Sequence, residues 1–384
     1  MAPALQFSQR RVLAGSARGF VVTVFTGTGV PLPKGFAHMP THRSWIAGGF
    51  AALAVAGASP AFAQSLPAVT IGGGLQSSYQ YTKPDDADGT NEFLLNSARL
   101  YVNGSATKNI KFMFNTEYNG ATNAIGVLDA VAQVSTSAKF NLWVGRFLPP
   151  SDRANLYGPY YSNQWGVYTD GIQDGYPFVA TGRDNGVMYW GQFDRLKVSA
   201  GLFDGKSATG QDDVLFAGRA QVDLWDTEDG YYLNGTYYGA KNLLAIGGAV
   251  QEQDGDVAGN VDFLLEKKVG DGGAFSIESQ YNAYDNLGGY DANYSKSSGA
   301  YILGAYLFQK MGDQPGQFQI LGKYAHATFE EGITEDYDQD TTEINFNYII
   351  RQHNARVMFF FRNTDFSAVR TDSKAVGVGF QVQM

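Results

Sequence analysis

Seven basic residues, Arg99, Lys111, Lys197, Arg219, Lys323, Arg356 and Arg362, occupy alternate positions in segments whose other positions are largely apolar. Cations spaced in this way make and break no bonds. They act on passing anions if the polar side of each segment faces water in a confined space. Glu117, Asp223, Asp262, Glu278 and Glu343 lie in similar segments. For any one cation, a structural ion pair with such an acid is the plainer reading. A second group, Asp152, Arg153, Tyr160, Asp170 and Asp174, falls in the stretch 148–182 with Tyr157, Tyr161, Trp165, Tyr168, Tyr176 and Phe178. A connection of that length is usually functional or disordered, and its aromatic content argues against disorder. These residues are expected at a constriction. The competing reading is an ordered surface loop closing over a mouth.

Other chemistry is poorly provided for. The 384 residues include no Cys, so disulfides, thiolate metal sites and cysteine catalysis are excluded. Of the four His, only His326 and His353 follow the leader described below. Neither sits in a recognisable motif, and G-x-S-x-G, H-E-x-x-H and phosphate-loop patterns are absent. No enzymatic activity, metal or cofactor is expected. A net charge of −9 argues against nucleic acid as a partner.

The elements that must position these residues are strands. Ile344, Phe346, Tyr348 and Ile350 alternate with Glu343, Asn345 and Asn347, and Ile110, Phe112 and Phe114 alternate with Lys111, Met113 and Asn115. This period of two recurs in segment after segment. Strands are expected near 69–81, 92–106, 110–118, 128–135, 140–147, 183–191, 196–203, 215–224, 243–250, 261–269, 274–284, 300–309, 318–329, 342–352, 356–363 and 374–384. Tyr231 to Tyr238 is left out, because a closed antiparallel barrel with both termini on one side needs an even count. Short connections such as 107–109 and 353–355 alternate with longer polar ones: 82–91, 148–182, 204–214, 285–299 and 330–341. The fold expected is all-β, a 16-stranded antiparallel transmembrane β-barrel with a long inward-folded loop. Segment 225–242 is the exception, being long on the side of short turns. The alternative is a secreted all-β glycan-binding protein, whose Tyr and Trp would stack on sugars and whose apolar faces would be buried.

The chain opens with an address. From Met39, Arg43 supplies a basic start, Trp45 to Ala58 is a short apolar run, and Ala61-Phe62-Ala63 fits a cleavage site. Residues 1–38 read as an upstream extension that is not part of the fold, 39–63 as a signal peptide and 64–384 as the barrel. Mass spectrometry of the mature protein is expected to find Gln64 first; an intact Met1 or Met39 would overturn this. Residues 1–63 hold five basic residues and no acid, so 23 basic residues face 37 acidic ones in the exported chain. On this register the long loops hold 22 acids and 5 bases, the short turns 6 and 5, and the strands 9 and 13. The barrel wall is therefore net positive, which implies a weak anion preference. The acids of 330–341 read as a solvated rim, or as carboxylates bridged by divalent cations to lipopolysaccharide.

Several motifs resemble those of Gram-negative outer-membrane porins. They include the hairpin Ser97-Ala98-Arg99-Leu100-Tyr101-Val102-Asn103-Gly104 with Ile110-Lys111-Phe112, and Gly182-Arg183-Asp184-Asn185-Gly186-Val187. The strand exit Leu142-Trp143-Val144-Gly145-Arg146-Phe147-Leu148-Pro149-Pro150-Ser151 resembles the phosphate-selective porin O/P type. The terminal strand Val376 to Met384 is similar to the closing strand of such barrels, with Met384 where Phe or Trp is usual. The resemblance implies a passive pore of the outer membrane for small hydrophilic solutes or anions, in contact with lipid and lipopolysaccharide. A homotrimer is its implied assembly. The lysine-rich loops linked to phosphate capture in that family have no clear counterpart.

Overall fold

A computed structural model of the protein describes residues 69–172, 182–205 and 214–384. The leader, Asp174, Tyr176 and Phe178 lie outside the described residues, as does 206–213 of the loop 204–214. The first eight strands are β1 (Val69–Pro84), β2 (Thr90–Ser105), β3 (Ile110–Asn119), β4 (Ala124–Ser137), β5 (Phe140–Phe147), β6 (Asp184–Phe193), β7 (Leu196–Phe203) and β8 (Leu215–Asp223). The rest are β9 (Leu243–Gln253), β10 (Asp256–Val269), β11 (Gly273–Asp285), β12 (Tyr294–Leu307), β13 (Gln317–Gly332), β14 (Tyr337–Arg351), β15 (Ala355–Phe366) and β16 (Ser373–Gln383). Each pairs antiparallel with its chain neighbours, and β1 pairs with β16 to close a barrel. All sixteen expected strands are present, and the Tyr231–Tyr238 stretch is not a strand.

Closure follows from the surroundings. An open edge would leave backbone groups unpaired in lipid, and here the ladder runs unbroken from Gly74↔Gln383 to Pro84↔Ser373. Beyond it, the Gly73 and Met384 backbones exchange two hydrogen bonds of 3.0 and 2.9 Å. The two faces invert the arrangement of a soluble sheet. On β14, Phe346 is 57% exposed while its neighbour Asn345 is fully buried. On β16, Val376, Phe380 and Val382 face out, while Gln381 and Gln383 face in. A secreted sandwich would do the reverse, so the closed barrel with its apolar outer face removes that alternative. Aromatic pairs such as Phe318–Tyr348 and Tyr306–Phe308, both with centroids 5.0 Å apart, sit at strand ends, where aromatic girdles meet the membrane interface.

We call the end that holds the chain's last residue the turn end, and the opposite end the loop end. Several loop-end connections are shorter than the sequence implied. Strands β13 and β14 continue past the expected membrane edge, pairing Thr328 with Asp338 and Phe329 with Tyr337. Glu330, Glu331, Asp338 and Asp340 therefore lie on strands, and only 333–336 connects them. Pairing persists because water on both faces opposes neither the ladder nor the acids.

Candidate functional site

The stretch after β5 opens with the short helix α1 (Arg153–Tyr161), capped by Asp152, whose Oδ1 accepts from the Asn155 N–H at 2.9 Å. The helix is kinked at Gly158 (φ 60°), just before Pro159. From there the chain crosses to partners all around the ladder. Asn345 of β14 accepts from the Trp165 N–H at 3.1 Å, and Asn163 accepts from Gln319 of β13 at 2.9 Å. Gln251 of β9 donates to Pro150 O at 3.0 Å, and Gln381 of β16 donates to Tyr160 O at 2.9 Å. Every one of these partners is on the polar alternate face of its strand. A segment that reaches that face from β9 to β16 can lie only inside the barrel. At β1 the wall is Gly74, where an added Cβ would stand 2.6 Å from the Tyr160 ring.

This segment fills the lumen unevenly. Phe147, Leu148, Leu156, Tyr157, Met188, Phe203 and Leu215 form a buried apolar cluster against β5 to β8. The open space beside β1 to β4 includes two cavities. One, of about 850 Å³, faces the loop end and is lined by Gln76, Ser97, Glu117, Pro159, Tyr168 and Arg362 among others. The second, of about 470 Å³, faces the turn end and is lined by Tyr101, Asn115, Asp129, Tyr157, Tyr161 and Tyr232 among others. Arg99, Asn155 and Arg183 line both, so the cavities adjoin there and define a waist.

The expected wall cations divide between this route and the packed interior. Arg99 is on the route: its Nε is 2.7 Å from Glu117, and its guanidinium lies 4.6 Å from the Tyr160 ring centroid. Arg362 lines the loop-end cavity, 3.2 Å from Glu343. Lys111 is exposed near the turn end of β3. The other four lie buried in the packed interior. Lys197 donates to Glu228 O and Gly230 O at 2.9 and 2.8 Å. Arg219 binds both oxygens of Asp262, at 2.5 and 2.8 Å. Lys323 pairs with Asp170 and lies 4.2 Å from the Tyr301 ring centroid. Arg356 donates to Ser162 O at 2.5 Å and to Gln381 at 2.8 Å. Parity identified the inward face; it carried no information on which part of the lumen is filled.

The loop residues divide similarly. Asp152 caps the helix, and burial pushes its carboxyl above the ordinary value despite the Asn155 N–H bond. Arg153 is fully buried, donating to Glu228 and to Asn234 O (3.0 Å), with Asp262 at 3.7 Å. Burial would raise the Glu228 carboxyl, but the Arg153 guanidinium outweighs it and holds the group below its usual range. Tyr160 touches Ser97 and Arg99, and Asp170 is tied to Lys323. Arg183 and Asp129, 3.4 Å apart at the edge of the route, were not among the expected site residues. Arg183 immediately precedes β6, where the long loop ends, and its position in the Gly182-Arg183-Asp184 motif was the available signal.

His353 lies in the turn Gln352–Asn354, against Tyr161 and Tyr238 and with Thr236 O 2.9 Å from Nε2. Burial, with Arg356 nearby, lowers it to about 3. A base depressed in the folded state contributes stability above its unfolded value near 6.5, and that stability is lost as pH falls toward 3. Heat resistance of the barrel is expected to drop in that window, by up to about 1.4 kcal/mol per pH unit from this group. His353→Gln should flatten the dependence; an unchanged slope would exclude His353 as its source.

Among the described residues no cluster of three or more His, Cys, Asp or Glu is placed to hold a metal ion. Residues 69–161, from β1 to the end of α1, match the family Phosphate-selective porin O and P. Over that stretch the chain resembles these porins. No curated protein matches the chain. Solved structures with a similar fold include OprB of Pseudomonas putida (TM-score 0.57, 7% identity, covering 82% of this chain and 94% of that one). The anion-selective porin from Comamonas acidovorans gives 0.53 at 14% identity, covering 83% and 100%. A loop-deletion mutant of OmpT from Vibrio cholerae gives 0.51 at 15% identity, covering 83% and 99%. At such identities the likeness is one of fold. The porin barrel and the family match together support a location in the bacterial outer membrane.

Proposed function

We propose that the protein is an outer-membrane porin, a water-filled channel for passive diffusion of small hydrophilic solutes with a weak preference for anions, phosphate among them. The observation that carries this reading is the waist. Two guanidiniums, Arg99 and Arg183, line both cavities, whereas Glu117 lines only the loop-end one and Asp129 only the turn-end one. The described lining side chains number three Arg against these two acids, with Met384 at the turn-end mouth. Anions thus meet positive charge where the two cavities adjoin, and the neighbouring carboxylates keep the preference small. The pairing with Glu117 and Asp129 also favours transit over capture. The anion selectivity of the Comamonas acidovorans porin agrees with this reading.

In planar bilayers under a KCl gradient, the reversal potential is expected to be small and of the sign for chloride. A cation-selective wild-type pore at moderate salt would overturn the anion preference. Absence of any conductance from folded protein would overturn the channel.

A further inference from the structure

The connection between β8 and β9 is unlike the other turns at its end of the barrel. It spans 224–242, whereas the others run from two residues (194–195) to nine (308–316). It begins as a continuation of the ladder, with the Leu224 N–H donating to Leu244 O at 2.7 Å and the Asp226 N–H to Asn242 O at 3.0 Å. It then turns inward. Lys197 of β7 holds Glu228 O and Gly230 O, and Glu266 of β10 accepts from the N–H groups of Tyr237 and Gly239 at 2.8 and 2.7 Å. Tyr231 and Leu233 enter the same buried cluster as Leu156 and Tyr157.

Inside the barrel this connection meets the stretch that descends from the loop end. The Leu233 N–H donates to Leu156 O at 3.3 Å, and the Gly235 N–H to Tyr161 O at 2.8 Å. Gly235 permits that approach: an added Cβ would lie 3.1–3.2 Å from backbone atoms of Tyr161, Ser162 and Asn163. The strongest tie is ionic. Glu228, fully buried, accepts from Arg153, from Gln221 at 2.8 Å and from the Tyr237 hydroxyl at 2.9 Å. Arg153 in turn donates to Asn234 O, within the same connection. Both hydrogen-bond acceptors of Arg153 are thus in place only while 224–242 is inside. Tyr232, Leu233 and Asn234 also line the turn-end cavity, opposite Tyr101 and Asn115.

We propose that residues 224–242 are a floor of the channel, inserted from the turn end, and that Glu228 is a positioning residue that holds the constriction in place through Arg153. This rests on the channel reading above. Two inserted segments, one from each end, then set the waist together, and the solute cut-off depends on a residue that touches no solute.

The absence of Cys from the chain allows a direct test. Leu156→Cys with Leu233→Cys is expected to give a disulfide on mild oxidation of the folded barrel, with conductance close to that of the reduced form. Failure of the pair to cross-link in protein whose gel mobility still shifts on heating would overturn the floor. Glu228→Gln, which leaves Arg153 charged and short of a counter-ion, is expected to raise open-channel noise and conductance, by roughly twofold, and to admit larger neutral sugars. Arg153→Met with Glu228→Met should be quieter than the single variant, since neither partner of the pair is left charged without the other. Wild-type conductance, noise and sugar cut-off in Glu228→Gln would overturn the positioning role. If that variant does not fold, Glu228→Gln is placed in the cysteine-pair background and assembled oxidised, and noise and conductance that stay at the wild-type level after reduction overturn the positioning role equally. The cross-link reports the floor's location even from a protein that conducts nothing, so its failure is distinguishable from failure of the channel reading.

Discussion

Replacement of residues 153–172 by a short Gly/Ser bridge is expected to raise single-channel conductance severalfold and to admit sugars that the intact protein excludes. Barrels of 16 strands enclose an aqueous channel unless something fills it. Here the filling is this stretch, whose contacts reach the polar face from β10 through β16. Its removal joins the two cavities to the space now held by Leu156, Tyr157, Tyr160 and Ile172, all buried. Polar residues that now bond to it, such as Asn345 and Gln381, would be left facing water, which a lumen tolerates. Liposome swelling with sugars of increasing size, beside bilayer conductance, measures the effect. An unchanged cut-off would mean that this stretch does not limit passage.

The second large effect is one of sign. Arg99→Glu with Arg183→Glu is expected to turn the weak anion preference into a clear cation preference. Both residues line the waist, where the exchange moves the fixed charge by about four units at contact distance from each permeating ion. Loop-end acids act across wider space and are screened over about 8 Å at physiological salt. Arg219→Glu should behave differently, although Arg219 also faces inward. It is bound through two nitrogens to Asp262 beneath the packed segment and lines neither cavity. Reversal there sets two buried carboxylates together, and loss of such a pair costs about 3–5 kcal/mol. The expected result is a barrel of lower heat resistance, with selectivity unchanged in whatever fraction folds. Equal shifts in reversal potential from the two exchanges would refute the division of the lumen into route and packing.

The division between what the sequence revealed and what it concealed has a physical basis. A wall with lipid on one side and polar partners on the other imposes a period of two on every strand. Strands β5 and β7 could therefore be placed to the residue, and 231–238 could be left out. Loop-end boundaries were less legible, because strands that leave the membrane lose the lipid constraint while keeping their pairing, as Thr328 and Asp338 do. The interior was least legible. Arg153 meets Glu228 across 75 positions of chain and Arg356 meets Ser162 across 194. Neither neighbour leaves a local pattern. The aromatic residues of 148–182 marked that stretch as ordered, whereas Tyr231, Leu233 and Tyr238 in 224–242 gave a similar signal that resembled a failed strand.

The bonds that Pro159 and Tyr160 make with Gln76 and Gln381 reach beyond permeation. Gln76 donates to Gln381 across the β1–β16 pair at 2.7 Å and to Pro159 O at 3.2 Å, while Gln381 and Arg356 both donate to Tyr160 O. The stretch that narrows the channel is thus also a latch across the seam where the first and last strands meet. That seam joins residues about three hundred positions apart, the kind of contact whose loop-closure entropy slows folding most. A chain that seats Tyr160 before the ends meet presents β1 and β16 with matched partners on a template. Filling and sealing are thus coupled through these few amides, and the zipper that shuts the barrel is held by the object inside it.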